Sequence, residues 1–546
     1  MFRPTPGAAI RRLAARPAAR VAALAALILL AIVLPRAAAL RGISVSSNLE
    51  FGDMPQHLLN LDKLAKLHAG LDRQPYYRAH PEARTLFRPA RWPGGVYQVA
   101  LPWARTFGTL SIWTVQLTNL LFTLVLVAGV IGLGVALGGD LRHGLWAALL
   151  VVLCPALVGA SWYLSLDYPL VAMTTVGLLL LHYTEGLTRW RFCLLLAVWS
   201  ALGMSVKMTY SLYLVGPALL ALAEGLHRPG LRLRALALSA GASVICLALL
   251  FTMQDATPRE VLNELTMHST VNAYSMKVEA WSATWAAAVA VLALGNFPLP
   301  LLLLALPGVV GLHLVRRARP VRWLLLGLLW GGYLMLTLLP HKMERYGLPL
   351  YPICCLLTVW WLLQVIGRRW RLAALIWAVA LYCGVLYLAH LRPPPWVFCQ
   401  EGDAVNLGAV DLRMPGRKLL AQLRKRTFHP DCRMQSLMRH LAELSRADGR
   451  TSPLGIAVSW PPGEQPPPYI NAATLATHVI RDRIIEEETG LTRFAQVQPT
   501  VIAVHPPDVE PLVEQPQLRL LQRRTHVLHC GDQLVHMYIS LYRAGP

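Results

Sequence analysis

Two aspartates stand beside long apolar runs of the chain, where carboxylates could do proton-transfer or metal chemistry. Asp53 follows the first apolar run by about a dozen residues, and Asp167 precedes a later run. A half-buried carboxylate can accept the proton of an attacking hydroxyl, and two carboxylates can hold a divalent cation against phosphate oxygens. The alternative for both is a helix start, because a proline follows each aspartate by two residues.

Several cationic residues could bind an anionic substrate. Lys207 interrupts an otherwise apolar stretch, and His341, Lys342 and Arg345 share one short connector with Glu344. Arg345 is the preferred phosphate ligand of this connector because a guanidinium binds phosphate through two hydrogen bonds. The alternatives are a lysine that extends to the membrane interface and a solvated loop with an ion pair of little energy.

The remaining candidates are aromatic. His57 lies four residues after Asp53, so the two would share a helical face, a spacing that also suits a metal ion. His268 belongs to a polar connector of about thirty residues, and Tyr97 follows a Pro/Gly-rich loop where an interfacial aromatic is expected. We take His57, Tyr97, His268, Lys207, Lys342 and Arg345 as candidate substrate-binding residues.

Common soluble-enzyme motifs are absent. The sequence has no GxSxG, HExxH or Walker A motif and no GxGxxG before a helix, so a nucleotide cofactor is not expected. Its nine cysteines form no CxxC pair. Cys399, Cys432 and Cys530 fall in the polar C-terminal part, where two of them could pair if that part is exported.

Composition and charge patterning indicate a membrane protein. Of 546 residues, 55% are hydrophobic and 15% are charged, a balance typical of polytopic membrane proteins. The net charge of +22 resides largely in short basic clusters between apolar runs, which favours membrane topology over nucleic-acid binding. About eleven spans are predicted, at 21–40, 112–137, 144–161, 168–184, 192–206, 208–224, 235–253, 297–315, 323–339, 348–366 and 373–390.

These spans predict the domain organisation. Residues 1–20 are a basic cytoplasmic N-terminus, and 21–40 are an uncleaved anchor rather than a cleaved signal. The membrane module covers 21–391, with outer loops at 41–110 and 254–282, and residues 284–296 are taken as an interfacial or broken helix. A proline-rich break then leads to a small soluble α/β domain at 392–546, on the outer side.

Local patterns add finer expectations. Leucines at helical spacing predict an amphipathic helix from Asp53 to Leu71, on the membrane or against the bundle, with Asp62 and Lys63 on other faces. The stretch from Arg84 to Pro102 is expected to resist helix and strand. In the C-terminal domain we predict strands at 456–459, 501–504 and 534–541, and helices at 419–426 and 436–444.

Four of these features together resemble integral-membrane GT-C glycosyltransferases, in particular the aminoarabinose transferase and protein O-mannosyltransferase-like group. They are the first-loop acid Asp53, the acid Asp167, the helix-end cation Lys207, and the run RYGLPLYP at residues 345–352. This run is similar to the group's RYxLPxYP element, and the resemblance covers roughly residues 20–390.

The resemblance implies an all-α helical bundle of the GT-C type and a lipid-linked sugar donor, typically a polyprenyl-phosphate sugar. It implies transfer at the periplasmic face of a bacterial inner membrane to an acceptor lipid, glycan or protein. Asp53 would be the catalytic acid of the first loop, and Asp167 a second acid near a cation or the acceptor. Lys207 and Arg345 would face the donor phosphate, and Tyr346 would line the same site.

Two other functions remain open from the sequence. A transporter or flippase of a lipid-linked envelope intermediate would have charges near the middle of the membrane. A non-catalytic, membrane-anchored envelope assembly protein would use its C-terminal domain as the working part. Asp53 and Asp167 could hold a divalent cation in the enzyme, and no nucleic-acid partner is expected.

Overall fold

A computed structural model of the chain describes residues 21–34, 54–69, 94–109, 111–161, 164–254, 299–314, 321–338, 344–368, 370–390, 405–407, 410–412, 454–458, 485–487, 500–505, 518–530 and 533–544. The described helices precede residue 391 and the described strands follow residue 404. The predicted helices at 419–426 and 436–444 and the segment 284–296 lie outside the described residues.

The N-terminal part is a bundle of α-helices. The helices are α1 (Val21–Leu34), α2 (Met54–His68), α3 (Gly95–Phe107), α4 (Ile112–Gly138), α5 (Leu141–Leu153), α6 (Pro155–Ala160), α7 (Asp167–Tyr183), α8 (Trp190–Val206), α9 (Tyr210–His227), α10 (Arg232–Gln254), α11 (Leu299–Leu314), α12 (Val321–Leu338), α13 (Tyr351–Val365) and α14 (Arg371–His390). A 3₁₀ helix, Glu344–Leu350, leads directly into α13.

Helix contacts follow the sequence order only in part. Helix α4 packs against both α5 and α7, α8 against α10, α9 against α12, and α11 against α13. Glycines let α4 and α5 approach closely, since a Cβ on Gly134 would lie 2.5 Å from the Cα of Gly144. Because short connectors reverse the chain, α4 ends where α5 begins, and α7 begins at the other end of the bundle.

Three of the described helices are long and apolar enough to cross a membrane. They are Trp113–Gly138, Arg232–Leu250 and Tyr346–Val365, the last including part of the 3₁₀ helix. Shorter apolar helices accompany them in the same bundle. The predicted apolar segments therefore form helices, whereas the number of eleven spans stays a prediction.

The predicted span at 144–161 is wrong in one respect, because it is divided into α5 and α6. The chain becomes extended at Cys154, with φ −64° and ψ 118°, and Pro155 begins α6. A proline disfavours helical geometry in the residue before it and lacks the N–H that a continuous helix requires.

The expectation that Arg84 to Pro102 resists helix is also wrong, since α3 covers its last residues. Val96, Tyr97, Ala100, Leu101 and Ala104 form one buried stripe along α3. Burial of this stripe outweighs the weak local preference of a Pro/Gly-rich sequence, and α3 accommodates Pro102 within it.

Helix α2 matches the predicted loop helix in position but differs in how much of its surface is buried. Leu58 and Leu61 are buried as the leucine spacing predicts. Asp62 and Lys63, expected on other faces, are buried as well. Helix α2 packs against α3, and Thr109 donates a hydrogen bond of 3.1 Å to Asp62 Oδ1. It is therefore enclosed by protein along much of its length and does not present a polar face at these two positions.

The C-terminal part contains two sheets. Strands β1 (Val405–Leu407) and β2 (Val410–Leu412) pair antiparallel. The larger sheet has the order β4-β3-β5-β7-β6, from β3 (Leu454–Val458), β4 (Ile485–Glu487), β5 (Thr500–His505), β6 (Leu518–Cys530) and β7 (Gln533–Ala544). Strands β3, β4 and β5 run parallel, as in an α/β domain, and β6–β7 is an antiparallel hairpin. Strands β3, β5 and β7 correspond to the three predicted ones.

Candidate functional site

A buried ion pair joins two of the predicted residues, Asp167 and Lys207. Lys207 Nζ lies 2.5 Å from Asp167 Oδ1, and the two side chains are 11% and 4% exposed. Asp167 is the first residue of α7 and Lys207 directly follows α8, so the pair connects two helix ends that are 40 residues apart in sequence. A buried ammonium and carboxylate stay charged together because each compensates the other's desolvation.

Tyr346 completes this cluster. Lys207 Nζ lies 5.2 Å from the centre of the Tyr346 ring, a cation–π distance. The hydroxyl of Tyr213 on α9 donates a 2.6 Å hydrogen bond to the backbone carbonyl of Tyr346. The 3₁₀ helix that carries the RYGLPLYP run is thereby held against α9, beside the ion pair. We call Asp167, Lys207, Tyr213 and Tyr346 the ion-pair cluster.

Two helix N-termini meet at the ion-pair cluster. Helix α7 begins at Asp167, and α9 begins at Tyr210, three residues after Lys207. The first N–H groups of a helix have no intrahelical acceptor and carry partial positive charge. In α9 the N–H groups of Tyr210, Ser211 and Leu212 already donate to the carbonyls of residues 207–209. The N-terminus of α7 and the ammonium of Lys207 make this end of the bundle suited to an anion.

A second buried cluster contains the predicted residues His57 and Tyr97. His57 Nδ1 and the Tyr97 hydroxyl are hydrogen-bonded at 2.7 Å, and Asn60 Nδ2 donates to the same hydroxyl at 3.3 Å. Tyr97 is fully buried rather than interfacial. These contacts hold α2 on α3, and we call the three residues the His57 cluster.

The two clusters are connected through α3. A Cβ on Gly95, at the start of α3, would lie 2.6 Å from Ser205 Oγ, so only glycine allows α3 to approach the last turn of α8 this closely. Ser205 is two residues before Lys207, and Gly95 is two residues before Tyr97. The start of α3 therefore lies next to both clusters.

The structure does not place the remaining predicted residues in the site. Asp53, His268 and Lys342 lie outside the described residues. Arg345 precedes Tyr346 in the 3₁₀ helix, where the structure describes its backbone but not its side chain. Sequence reasoning missed Tyr213 and Asn60. Neither stands in a recognisable motif, and each acts through a partner at least 37 residues away in sequence.

A metal site is not formed by the described residues, among which no group of three or more His, Cys, Asp or Glu side chains is placed to hold an ion. Asp167 contacts the ammonium of Lys207. An ammonium at this distance opposes a divalent cation at the same carboxylate oxygen.

Comparison with known proteins agrees with this architecture. The family model described as dolichyl-phosphate-mannose-protein mannosyltransferase matches residues 74–255, which include Tyr97, Asp167 and Lys207. No curated protein matches the chain.

Three solved structures are similar to the chain at low sequence identity. ArnT from Cupriavidus metallidurans bound to undecaprenyl phosphate has a TM-score of 0.53 and 13% identity, over 96% of this chain and 98% of ArnT. ArnT in the apo state has a TM-score of 0.49 and 13% identity, over 82% of this chain and 87% of ArnT. An oligosaccharyltransferase of Archaeoglobus fulgidus tethered to an acceptor peptide has a TM-score of 0.45 and 11% identity, over 84% of this chain and 63% of that one.

The match to undecaprenyl-phosphate-bound ArnT establishes that this chain has a GT-C-type fold. Together with the family match, it confirms the resemblance to integral-membrane GT-C glycosyltransferases. The chain is a multi-pass membrane protein with a helical bundle, and its described C-terminal residues form β-strands.

Proposed function

We propose that this protein is a glycosyltransferase that moves a sugar from a polyprenyl-phosphate donor to an acceptor at the outer face of the membrane. The observation that carries the proposal is the buried Asp167–Lys207 ion pair beside Tyr346. It lies within a fold shared with ArnT and partly within the region matched by the mannosyltransferase family.

Lys207 has the properties of a cation for the phosphate leaving group. In the transfer, the acceptor oxygen bonds to the anomeric carbon of the sugar while the bond from that carbon to the phosphate oxygen breaks. The electron pair leaves with polyprenyl phosphate, which gains negative charge. A fixed ammonium in a water-poor site, near the N-termini of α7 and α9, stabilises that charge as it develops.

Asp167 positions Lys207 in this proposal. Its carboxylate contacts Lys207 Nζ directly, so it orients the ammonium. Asp53 is then the proposed base that accepts the proton of the acceptor hydroxyl. Arg345 would add a second cation at the phosphate, next to Tyr346 in the chain.

The His57 cluster supports the site. Because Tyr97 hydrogen-bonds both His57 and Asn60 in a buried position, it holds α2 over the start of α3. Helix α2 begins one residue after Asp53. We therefore propose that His57 and Tyr97 set the position of the first outer loop, and that this loop and His268 shield the sugar from water.

We further propose the location and arrangement of the enzyme. The membrane module of residues 21–391 would reside in a bacterial inner membrane, with residues 1–20 in the cytoplasm. Residues 392–546 would form a periplasmic domain, in keeping with strands that begin after residue 404. The acceptor would be a lipid, glycan or protein at that face.

Transfer in proteoliposomes tests the proposal. Purified full-length protein is supplied with labelled sugars on polyprenyl phosphate and with candidate acceptors, and product formation is followed. Wild-type protein is expected to transfer label, whereas Lys207→Met and Asp53→Asn are each expected to lose at least a hundredfold in rate. Arg189→Met, which removes an exposed cation at the opposite end of α8, is the matched control and should retain activity.

Two results would overturn parts of the proposal. Unchanged transfer by Asp53→Asn would remove the proposed base. Movement of lipid-linked sugar across the bilayer without any sugar transfer would contradict the glycosyltransferase assignment and indicate a flippase.

Chelation tests for a divalent cation. A cation at this end of the bundle would need ligands beyond Asp167, such as Asp53, because Lys207 contacts Asp167. Transfer is measured after EDTA treatment and again after adding back Mg²⁺ or Mn²⁺. Loss of the transfer rate with EDTA and its recovery with metal would show that a divalent cation takes part in transfer. An unchanged transfer rate would indicate that the protein's own cations stabilise the phosphate charge.

A further inference from the structure

Within the part of the chain that the structure describes, two hydroxyl groups close in sequence to the ion pair are buried without a hydrogen-bond partner. Ser165 is 3% exposed and its Oγ makes no hydrogen bond, and the Oγ1 of Thr209 is likewise buried and unpartnered. Buried hydroxyls are normally satisfied because an unmet hydroxyl in the protein interior destabilises the fold. Two such groups, each within two residues of the ion pair, are candidates to contact a ligand that is not part of the chain.

Their positions relate both hydroxyls to the ion-pair cluster. Ser165 precedes Asp167 by two residues, and Thr209 follows Lys207 by two residues. Since Asp167 and Lys207 are in contact, the segments that carry the two hydroxyls are brought together by the same ion pair.

Helix capping does not account for either hydroxyl. Thr209 is the N-cap residue of α9, where a threonine side chain ordinarily accepts a backbone N–H, yet it makes no capping bond. The N-cap of α7 is Leu166, which follows Ser165 and has no capping side chain. At the start of α9, the N–H groups of Tyr210, Ser211 and Leu212 donate to the backbone carbonyls of residues 207–209. The hydroxyls of Ser165 and Thr209 are thus unused donors near the starts of α7 and α9.

Nearby hydroxyls do form hydrogen bonds to backbone carbonyls of their own helix. Ser161 donates a 2.8 Å hydrogen bond to the Val158 carbonyl, and Thr175 donates one of 2.8 Å to the Val171 carbonyl. Thr174, about two turns along α7 from Asp167, is buried and unpartnered like Ser165. It provides a comparison for an orphan hydroxyl away from the ion pair.

We propose that the hydroxyls of Ser165 and Thr209 are hydrogen-bond donors to the phosphate oxygens of the lipid-linked donor. The two hydroxyls lie within two residues of Asp167 and Lys207 in the chain, and hydroxyl donors beside an ammonium and the N-terminus of α7 suit an oxyanion. This inference rests on the proposed function and specifies how its phosphate is held.

Binding of polyprenyl phosphate to full-length protein in nanodiscs tests the inference. Ser165→Ala and Thr209→Val are compared with Thr174→Val, and three probes are used: polyprenyl phosphate, the corresponding polyprenol, and inorganic phosphate as a competitor. We expect polyprenyl phosphate to bind at least tenfold more weakly to Ser165→Ala and Thr209→Val, with polyprenol affinity unchanged and with normal affinities for Thr174→Val. Thr209→Ser, which keeps the hydroxyl, should retain the wild-type affinity.

The thermal midpoint of ligand-free protein separates binding from folding. Removal of an unsatisfied buried hydroxyl should leave the midpoint unchanged or raise it in all three variants, since no hydrogen bond is lost. Polyprenyl phosphate should raise the midpoint of wild type and Thr174→Val more than that of Ser165→Ala.

The outcomes distinguish this inference from the proposed function. Wild-type protein that binds no polyprenyl phosphate would refute the proposed function. Wild-type binding with equal affinity in Ser165→Ala and Thr209→Val would refute the inference alone. Equal weakening of polyprenol and polyprenyl phosphate would also refute it, because a phosphate ligand cannot account for a loss that the alcohol shares.

Discussion

The two ends of the helical bundle carry ion pairs of opposite character. At the end where α7 begins, Asp167 and Lys207 come from positions 40 residues apart and are almost fully buried. At the end where α7 stops and α8 begins, Glu185 and Arg189 are four residues apart and about half exposed. Glu224 and Arg228 form a similar local pair at the end of α9.

This difference indicates different roles for the two ends. Exposed pairs four residues apart contribute about 0.3–0.5 kcal/mol each and mainly stabilise the ends of helices. A buried pair contributes little net stability, yet loss of one partner leaves an uncompensated charge and costs about 3–5 kcal/mol. A buried pair at the start of α7 is thus a costly arrangement, in keeping with the proposed role of this end of the bundle in binding the donor phosphate.

The largest effect is expected for Lys207→Met. The Asp167 carboxylate would then be buried without its ammonium, so the free energy of unfolding should fall by about 3–5 kcal/mol. Reversible unfolding in mixed micelles measures this change. The double variant Asp167→Asn, Lys207→Met should recover most of the stability but none of the sugar transfer, whereas a single variant as stable as wild type would contradict the comparison.

A smaller effect is expected for Tyr97→Phe. The change removes the hydroxyl that hydrogen-bonds His57 and Asn60, so it should lower the free energy of unfolding by about 1–3 kcal/mol. Transfer should fall as α2 loosens from α3, which limited proteolysis of the first outer loop can detect. Tyr183→Phe, at an exposed tyrosine of the opposite end, should change neither quantity. Unchanged protease resistance in Tyr97→Phe would remove the proposed supporting role.

The smallest effect is expected at Asp140, between α4 and α5 on the same end as Glu185. Asp140 caps α5 by accepting the His143 backbone N–H at 3.1 Å, and its Oδ1 lies 2.6 Å from His143 Nδ1. Partial burial alone would raise the pKa of Asp140, but the hydrogen bonds and charge of His143 outweigh it and lower that pKa below the usual value of 3.8. Asp140→Ala should cost about 1 kcal/mol, mostly through the lost cap.

The pH dependence at Asp140 follows from the direction of its shift. A carboxyl whose pKa is lower in the folded state contributes stability above its unfolded pKa and loses it as the pH falls through the folded pKa. Unfolding followed from pH 6 to pH 3 should show this loss below about pH 4 in wild type. The free energy of unfolding of Asp140→Asn, which retains the cap, should change less with pH over that window. An equal pH dependence in both proteins would contradict the lowered pKa of Asp140.

Helix positions were largely predictable from local pattern. The expected segment at 112–137 is α4, and that at 168–184 is α7, within one residue at each end. Apolar runs of this length determine their own structure because a bilayer leaves the backbone no other way to satisfy its hydrogen bonds. The same reasoning selected Asp167 and Lys207 from their residue types and positions at the ends of apolar runs, whereas Tyr346 was predicted from the resemblance to GT-C glycosyltransferases.

Contacts between distant segments were not predictable in this way. The partnership of Tyr213 with Tyr346, the burial of Asp62 and Lys63 on α2, and the helix at Gly95–Phe107 all depend on which helices pack together. Local propensity is weak compared with the free energy of burying an apolar stripe such as that of α3, so tertiary packing overrides it.

By itself, the sequence determined the membrane class of this protein, most of its helices, and a set of charged and aromatic residues able to bind a phosphate. Only the tertiary structure decided that Asp167 pairs with Lys207, and that Ser165 and Thr209 have no partners beside them. The physical reason is range: hydrophobic periodicity acts over one or two helical turns, whereas the pairing of buried charges depends on how whole helices pack.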